Sequence, residues 1–98
     1  MTDKQTIRVV LYQDGDLWVA QGLELDICAS GADPATAKRR FTATCELEAH
    51  ERMEAFGDTR HGLEKAPQRF FDLWDRSEVR LERESDVGGC DVEIKLAA

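Results

Sequence analysis

Glu46, His50 and Glu54 recur at four-residue spacing and would share one face of a helix. Carboxylates and an imidazole are donor types that bind zinc. No motif places a further ligand beside them, so a solvent-exposed histidine flanked by acids accounts for the same spacing. No metal is expected. His61 stands among turn residues and carries no signal. Glu24 and Asp26 are two apart and would lie on one face of a strand. Metal-assisted hydrolysis would need further acids beside this pair, from a neighbouring strand. The segment Ile7-Arg8-Val9-Val10-Leu11-Tyr12 contains none. The pair then reads as a solvated strand face. Cys28, Cys45 and Cys90 are scattered, with no Cys-x-x-Cys for zinc or redox work and no base placed to activate a thiol. Gly-rich phosphate loops, a nucleophile elbow and His-Glu-x-x-His are all missing from the sequence. The expectation is a protein that is not an enzyme and holds no cofactor.

Charge narrows the partners. The 98 residues carry a formal charge of −7, and nucleic-acid affinity depends on clustered cations. The one basic run, Lys38-Arg39-Arg40, falls near the start of a helix, where a solvated face explains it; no nucleic-acid partner is expected. Glu46, Glu48, Glu51 and Glu54 crowd the other end of that helix. This distribution runs against the macrodipole. An antiparallel pair of such helices would match the signs, which favours a homodimer; a basic protein is the other partner that the charge admits. No apolar run is long enough for a membrane span and no signal peptide precedes the first strand, so a cytoplasmic protein without a membrane partner is expected.

The elements that position these residues are dense over 7–56: three strands and one long helix, with little connecting chain. Ile7, Val9 and Leu11 alternate with Arg8, Val10 and Tyr12. Asp14-Gly15 suits a two-residue hairpin turn. It would pair Gln13 with Asp16, Leu11 with Trp18, Val10 with Val19 and Val9 with Ala20. Both hairpin faces are then apolar, and one helix buries only one of them. The other face needs the chain's own second helix or a partner subunit. Leu23, Leu25, Ile27 and Ala29 alternate with Glu24, Asp26, Cys28 and Ser30, which predicts a third strand over 23–30. Asp33 then caps a helix that Pro34 opens and Gly57 stops. Ala37, Phe41, Cys45, Ala49 and Met53, joined by Thr44 and Phe56, form its inward stripe. At 1.5 Å per residue the helix is about 34 Å long, against about 17 to 20 Å for a strand. It should overhang its sheet and leave Met53 and Phe56 in need of cover.

The second half is a polar connection over 58–65, then a short helix over 66–77 holding Phe70, Phe71, Leu73 and Trp74. Phe70, Leu73 and Trp74 share a face. That face either closes the chain's own core beside Met53 and Phe56, or reaches a partner or a ligand in a pocket beneath the overhanging helix, with the core the preferred account. Val79 and Leu81, then Val92, Ile94 and Leu96, alternate with charged residues about a turn at 86–89, which reads as a C-terminal hairpin; extension of the second helix to Glu84 is the competing reading. The fold class expected is α+β: an antiparallel three-stranded sheet, a long helix (β-β-β-α), a short helix and a C-terminal hairpin. One domain spans 1–98, with a core over 6–57 and an extension over 58–98. Tyr12, Leu17, Val19, Phe71 and Trp74 are the interface candidates.

The residues Asp14-Gly15, Leu17-Trp18-Val19-Ala20, Leu23-Glu24-Leu25-Asp26-Ile27, Ser30-Gly31 and Asp33-Pro34-Ala35-Thr36-Ala37 give this half of the chain a pattern that resembles the HicB-like family. The resemblance implies a partial ribonuclease-H fold without the catalytic acids. Many members are antitoxins that bind a small toxin and self-associate; many others are standalone domains. Family antitoxins usually carry a C-terminal DNA-binding motif. Here one aromatic-rich helix and acidic residues over 78–91 stand in that place, which favours a standalone interaction module over an antitoxin masking a basic ribonuclease toxin. A small-molecule-binding regulatory domain is the further alternative.

Overall fold

The computed structural model describes residues 5–87 and 90–97. Five strands and two helices run in the order β1 (Thr6–Asp14), β2 (Leu17–Gly22), β3 (Cys28–Gly31), α1 (Pro34–Phe56), α2 (Gln68–Arg76), β4 (Val79–Val87) and β5 (Cys90–Leu96). The fold is α+β, as expected, but the sheet differs. All five strands form one mixed sheet in the order β3-β2-β1-β5-β4. The C-terminal hairpin forms and joins the first one through a parallel β1–β5 ladder, with Ile7 level with Val92, Val9 with Ile94 and Leu11 with Leu96. Two apolar alternations thus merge into one buried layer, and the second backbone edge of β1 finds its hydrogen-bond partners.

The first hairpin corrects the expected register. Asp14 pairs with Leu17, Tyr12 with Val19 and Leu11 with Ala20, so Gly15-Asp16 is the turn. Gly15, at φ +61, supplies the positive dihedral at its first position. Each β1 residue therefore meets a partner two positions beyond the expected one. Because side chains repeat every two residues, every one keeps its expected face.

The third strand is shorter than its alternation suggested. It starts at Cys28, and segment 23–27 forms a loop closed by Gly22 N–H donating to the Ile27 carbonyl at 2.8 Å. A Cβ on Gly22 would sit 2.6 Å from the Leu25 carbonyl oxygen, so only glycine fits this loop. The loop sends Leu23 to one side of the sheet and Leu25 and Ile27 to the other. Backbone bonds from Asp26 to Glu64 and from Ala66 to Leu23 tie it to the connection between the helices.

Helix α1 has the expected bounds. The Asp33 carboxylate accepts from Thr36 N–H at 2.8 Å, and Gly57 caps the far end in the left-handed region. Its first half buries Ala37, Phe41 and Cys45 against Ile7, Val9, Leu11, Val92 and Ile94. The stripe then runs past the sheet, and Met53 and Phe56 lie half exposed. Helix α2 lies on the opposite face, where Phe70 and Trp74 pack with Val10, Leu23, Ala66 and Ala97. These aromatics therefore do not sit beside Met53 and Phe56, and no pocket beneath α1 is lined by them. The reason is topological: successive β1 residues face opposite sides, and each side needs its own cover. Extension of the second helix to Glu84 is also ruled out, since the chain leaves α2 at Ser77 and enters β4 at Val79.

Candidate interaction surfaces on the two helices

On the α2 face, side chains of β1 and β5 clamp the aromatic helix. Glu24 accepts from the Arg8 backbone N–H and from Arg8 Nε, both at 2.7 Å. This carboxylate continues the β1–β2 ladder where Gly22 leaves it. It also fixes the Arg8 guanidinium 5.3 Å from the Phe71 ring centre and 5.7 Å from that of Trp74. Lys95 Nζ lies 4.5 Å from the Trp74 ring and donates to the Trp74 carbonyl at 3.3 Å. Asp26, the other acid of the expected pair, accepts from Gln21 Nε2 at 2.9 Å. Both carboxylates are thus engaged in holding the loop and strand.

Beside this clamp an open cleft of about 410 Å³ is lined by Tyr12, Asp14, Arg69, Phe70, Leu73 and Arg76. Arg69, Leu73 and Arg76 follow i, i+4, i+7 spacing along α2, and the Arg69 guanidinium lies 4.8 Å from the Phe70 ring. Tyr12 stands 6.0 Å from Phe70. Burial raises its hydroxyl pKa, and the Asp14 charge adds to that while Arg69 opposes it. Neither Arg69 nor Arg76 is paired with a carboxylate among the described residues.

The five interface candidates separate. Leu17 is half exposed at the hairpin tip, and Tyr12 and Val19 are half-buried beside it on the α2 face. Phe71 is half-buried under Arg8, and Trp74 is buried in the chain's own core at 6% exposure. The cleft arginines were not singled out from the sequence. Their spacing along the short helix was the available signal.

The overhanging half of α1 is the second surface. Leu47, Met53 and Phe56 are 56%, 50% and 59% exposed. Phe56 stacks on His61 at 4.0 Å, and Arg52 binds Glu48 and the His61 carbonyl, which anchors the polar connection to the helix end. His50, Glu46 and Glu54 are exposed, and no three metal-ligating side chains converge among the described residues. Beneath α1, Cys45 and Cys90 line a void of only about 10 Å³, with Arg60 donating to Cys90 Sγ. Burial pushes the Cys45 thiol up to about 12, with the nearby Cys90, Glu46 and Glu48 adding to it. That thiol is a core group. Cys28 is exposed on the edge strand. Among the described residues no helix is long and apolar enough to cross a membrane.

Comparison of the chain with protein-family models, with curated proteins and with solved structures finds no match.

Proposed function

We propose that the chain is a non-catalytic protein-interaction module that self-associates, in keeping with its resemblance to HicB-like domains. The observation that carries this reading is the set of large apolar side chains that α1 leaves exposed. Met53 and Phe56 continue the inward stripe of Ala37, Phe41 and Cys45, yet they lie half exposed, and Leu47 is exposed on the outward side of the same helix. Burying a large apolar side chain is worth about 1.5 to 3 kcal/mol, so covering this end by protein is favourable. Light scattering from micromolar concentration upward tests the reading. A mass near twice that of the 11.1 kDa chain is expected. A monomer over the whole accessible range refutes self-association.

The α2 cleft favours a second reading, a small-molecule-binding module. Two guanidiniums that have no carboxylate partner among the described residues stand beside Phe70 and Leu73, and in a protein of charge −7 they suit a carboxylate carried on an apolar body. Titration with 3-phenylpropanoate should shift amide signals of α2, and the neutral amide of the same acid should not. Equal responses to the two compounds would discard this reading.

A further inference from the structure

We propose that the outward face of α1 is the self-docking surface, with two copies of this chain pairing their α1 helices antiparallel about Leu47. The inference rests on the self-association reading and places the contact at Leu47, on the outward side of α1; Met53 and Phe56, which continue the inward stripe, lie outside it. Ala37, Phe41 and Cys45 face the sheet. Arg39, Ala43, Leu47, His50 and Glu54 turn the other way at 100° per residue, and all five are exposed. Leu47 is 56% exposed near the midpoint of a 23-residue helix, and Ala43, one turn before it, is small enough to let a second helix approach closely.

The charges decide which helix that is. The first turn of α1 holds no acid and its last turn no base. The basic run 38–40 lies toward its start, while Glu46, Glu48, Glu51 and Glu54 crowd its second half. Its own macrodipole disfavours this order. A second copy laid antiparallel reverses the balance: basic segment meets acidic segment twice, and the two dipoles oppose. Within the chain Glu48 is taken by Arg52, and Arg40 spends one nitrogen on the Ser30 carbonyl at 3.0 Å. Arg39, Glu51 and Glu54 have no ion-pair partner among the described residues. A two-fold axis near residue 46 brings the two Leu47 side chains together. It sets Arg40 level with Glu51 and Arg39 level with Glu54, each within about one residue's rise of 1.5 Å. An isologous contact of this kind closes on itself and yields a dimer, not a filament.

Charge reversal in the full chain tests this. R39E/R40E and E51R/E54R should each remain folded by circular dichroism and each weaken the homodimer at least tenfold by sedimentation. An equimolar mixture should form a heterodimer at least as tight as the wild-type dimer, because every cross-helix pair is then complementary. Leu47→Glu should abolish association while leaving the melting temperature of dilute, monomeric chain unchanged. Dimers untouched by the reversals would overturn this surface while leaving self-association standing. Weakened homodimers with no heterodimer on mixing would also overturn it. A wild-type chain that is monomeric throughout would remove both readings.

Discussion

The two faces of the sheet are covered by unlike helices. Helix α1 has 23 residues and fully buries three, two of them small. Helix α2 has nine and buries Phe70 and Trp74, with Phe71 and Leu73 partly covered around them. Length does not measure what a helix contributes to the core. The short helix closes its face with large aromatic area, and Arg8 and Lys95 brace it. The long helix runs past the sheet at its C-terminal end, where Met53 and Phe56 lie half exposed.

This contrast breaks first at Trp74. Trp74→Ala should cost about 3 to 5 kcal/mol in chemical denaturation, as a buried tryptophan does. A variant that keeps its stability but changes oligomeric state would place Trp74 at an interface instead. Next in size is the clamp. Glu24→Ala leaves the Arg8 N–H without its acceptor and should cost about 1 to 3 kcal/mol. Glu24→Gln keeps an acceptor and should lose less.

Cys45 sharpens the comparison through pH. Its folded pKa, raised from 9.0 to about 12, lies above that of the unfolded chain. Below pH 9 both states hold the proton and no penalty exists. Between about pH 9 and 12 the unfolded chain releases it first, so stability should fall across that window. Cys45→Ala should flatten the slope when denaturation midpoints are compared at pH 8 and 10.5. In the native protein at pH 8, alkylation followed by mass spectrometry should modify Cys28 before Cys45. The smallest effect on stability belongs to the outward face of α1. Measured in chain dilute enough to be monomeric, Leu47→Ser should change it by no more than about 0.5 kcal/mol, as exposed substitutions do.

The local elements were legible because each rests on nearby residues. Asp33, Pro34 and Gly57 bound α1 by capping chemistry acting within a few positions. The alternation of β1 assigned Ile7, Val9 and Leu11 to one face, and a hairpin register displaced by two could not change that. The overhang followed from length alone, and Met53 and Phe56 do stand exposed. The candidate surfaces were less legible. Leu17, Tyr12 and Val19 share a face as read, whereas Trp74 faces inward and Arg69 and Arg76 emerged only with the cleft.

Periodicity fixes which residues lie together on an element. It cannot say which element faces which. The parallel β1–β5 ladder joins residues more than eighty positions apart in sequence, and no local pattern specifies such a partner. Segment 23–27 shows the same limit from the other side. Its alternation is that of a strand, yet Gly22 bends the chain, and Leu23 and Leu25 are claimed by cores on opposite faces. The sequence by itself determined the bounds of α1, the two-faced first hairpin, the charge reversal along α1 and the buried Cys45. Only the tertiary structure decided that α2 covers the second face, that β1 and β5 join in one sheet and that Leu47 is left outside. Those outcomes depend on burying both faces of a shared sheet at once, a condition on the whole chain.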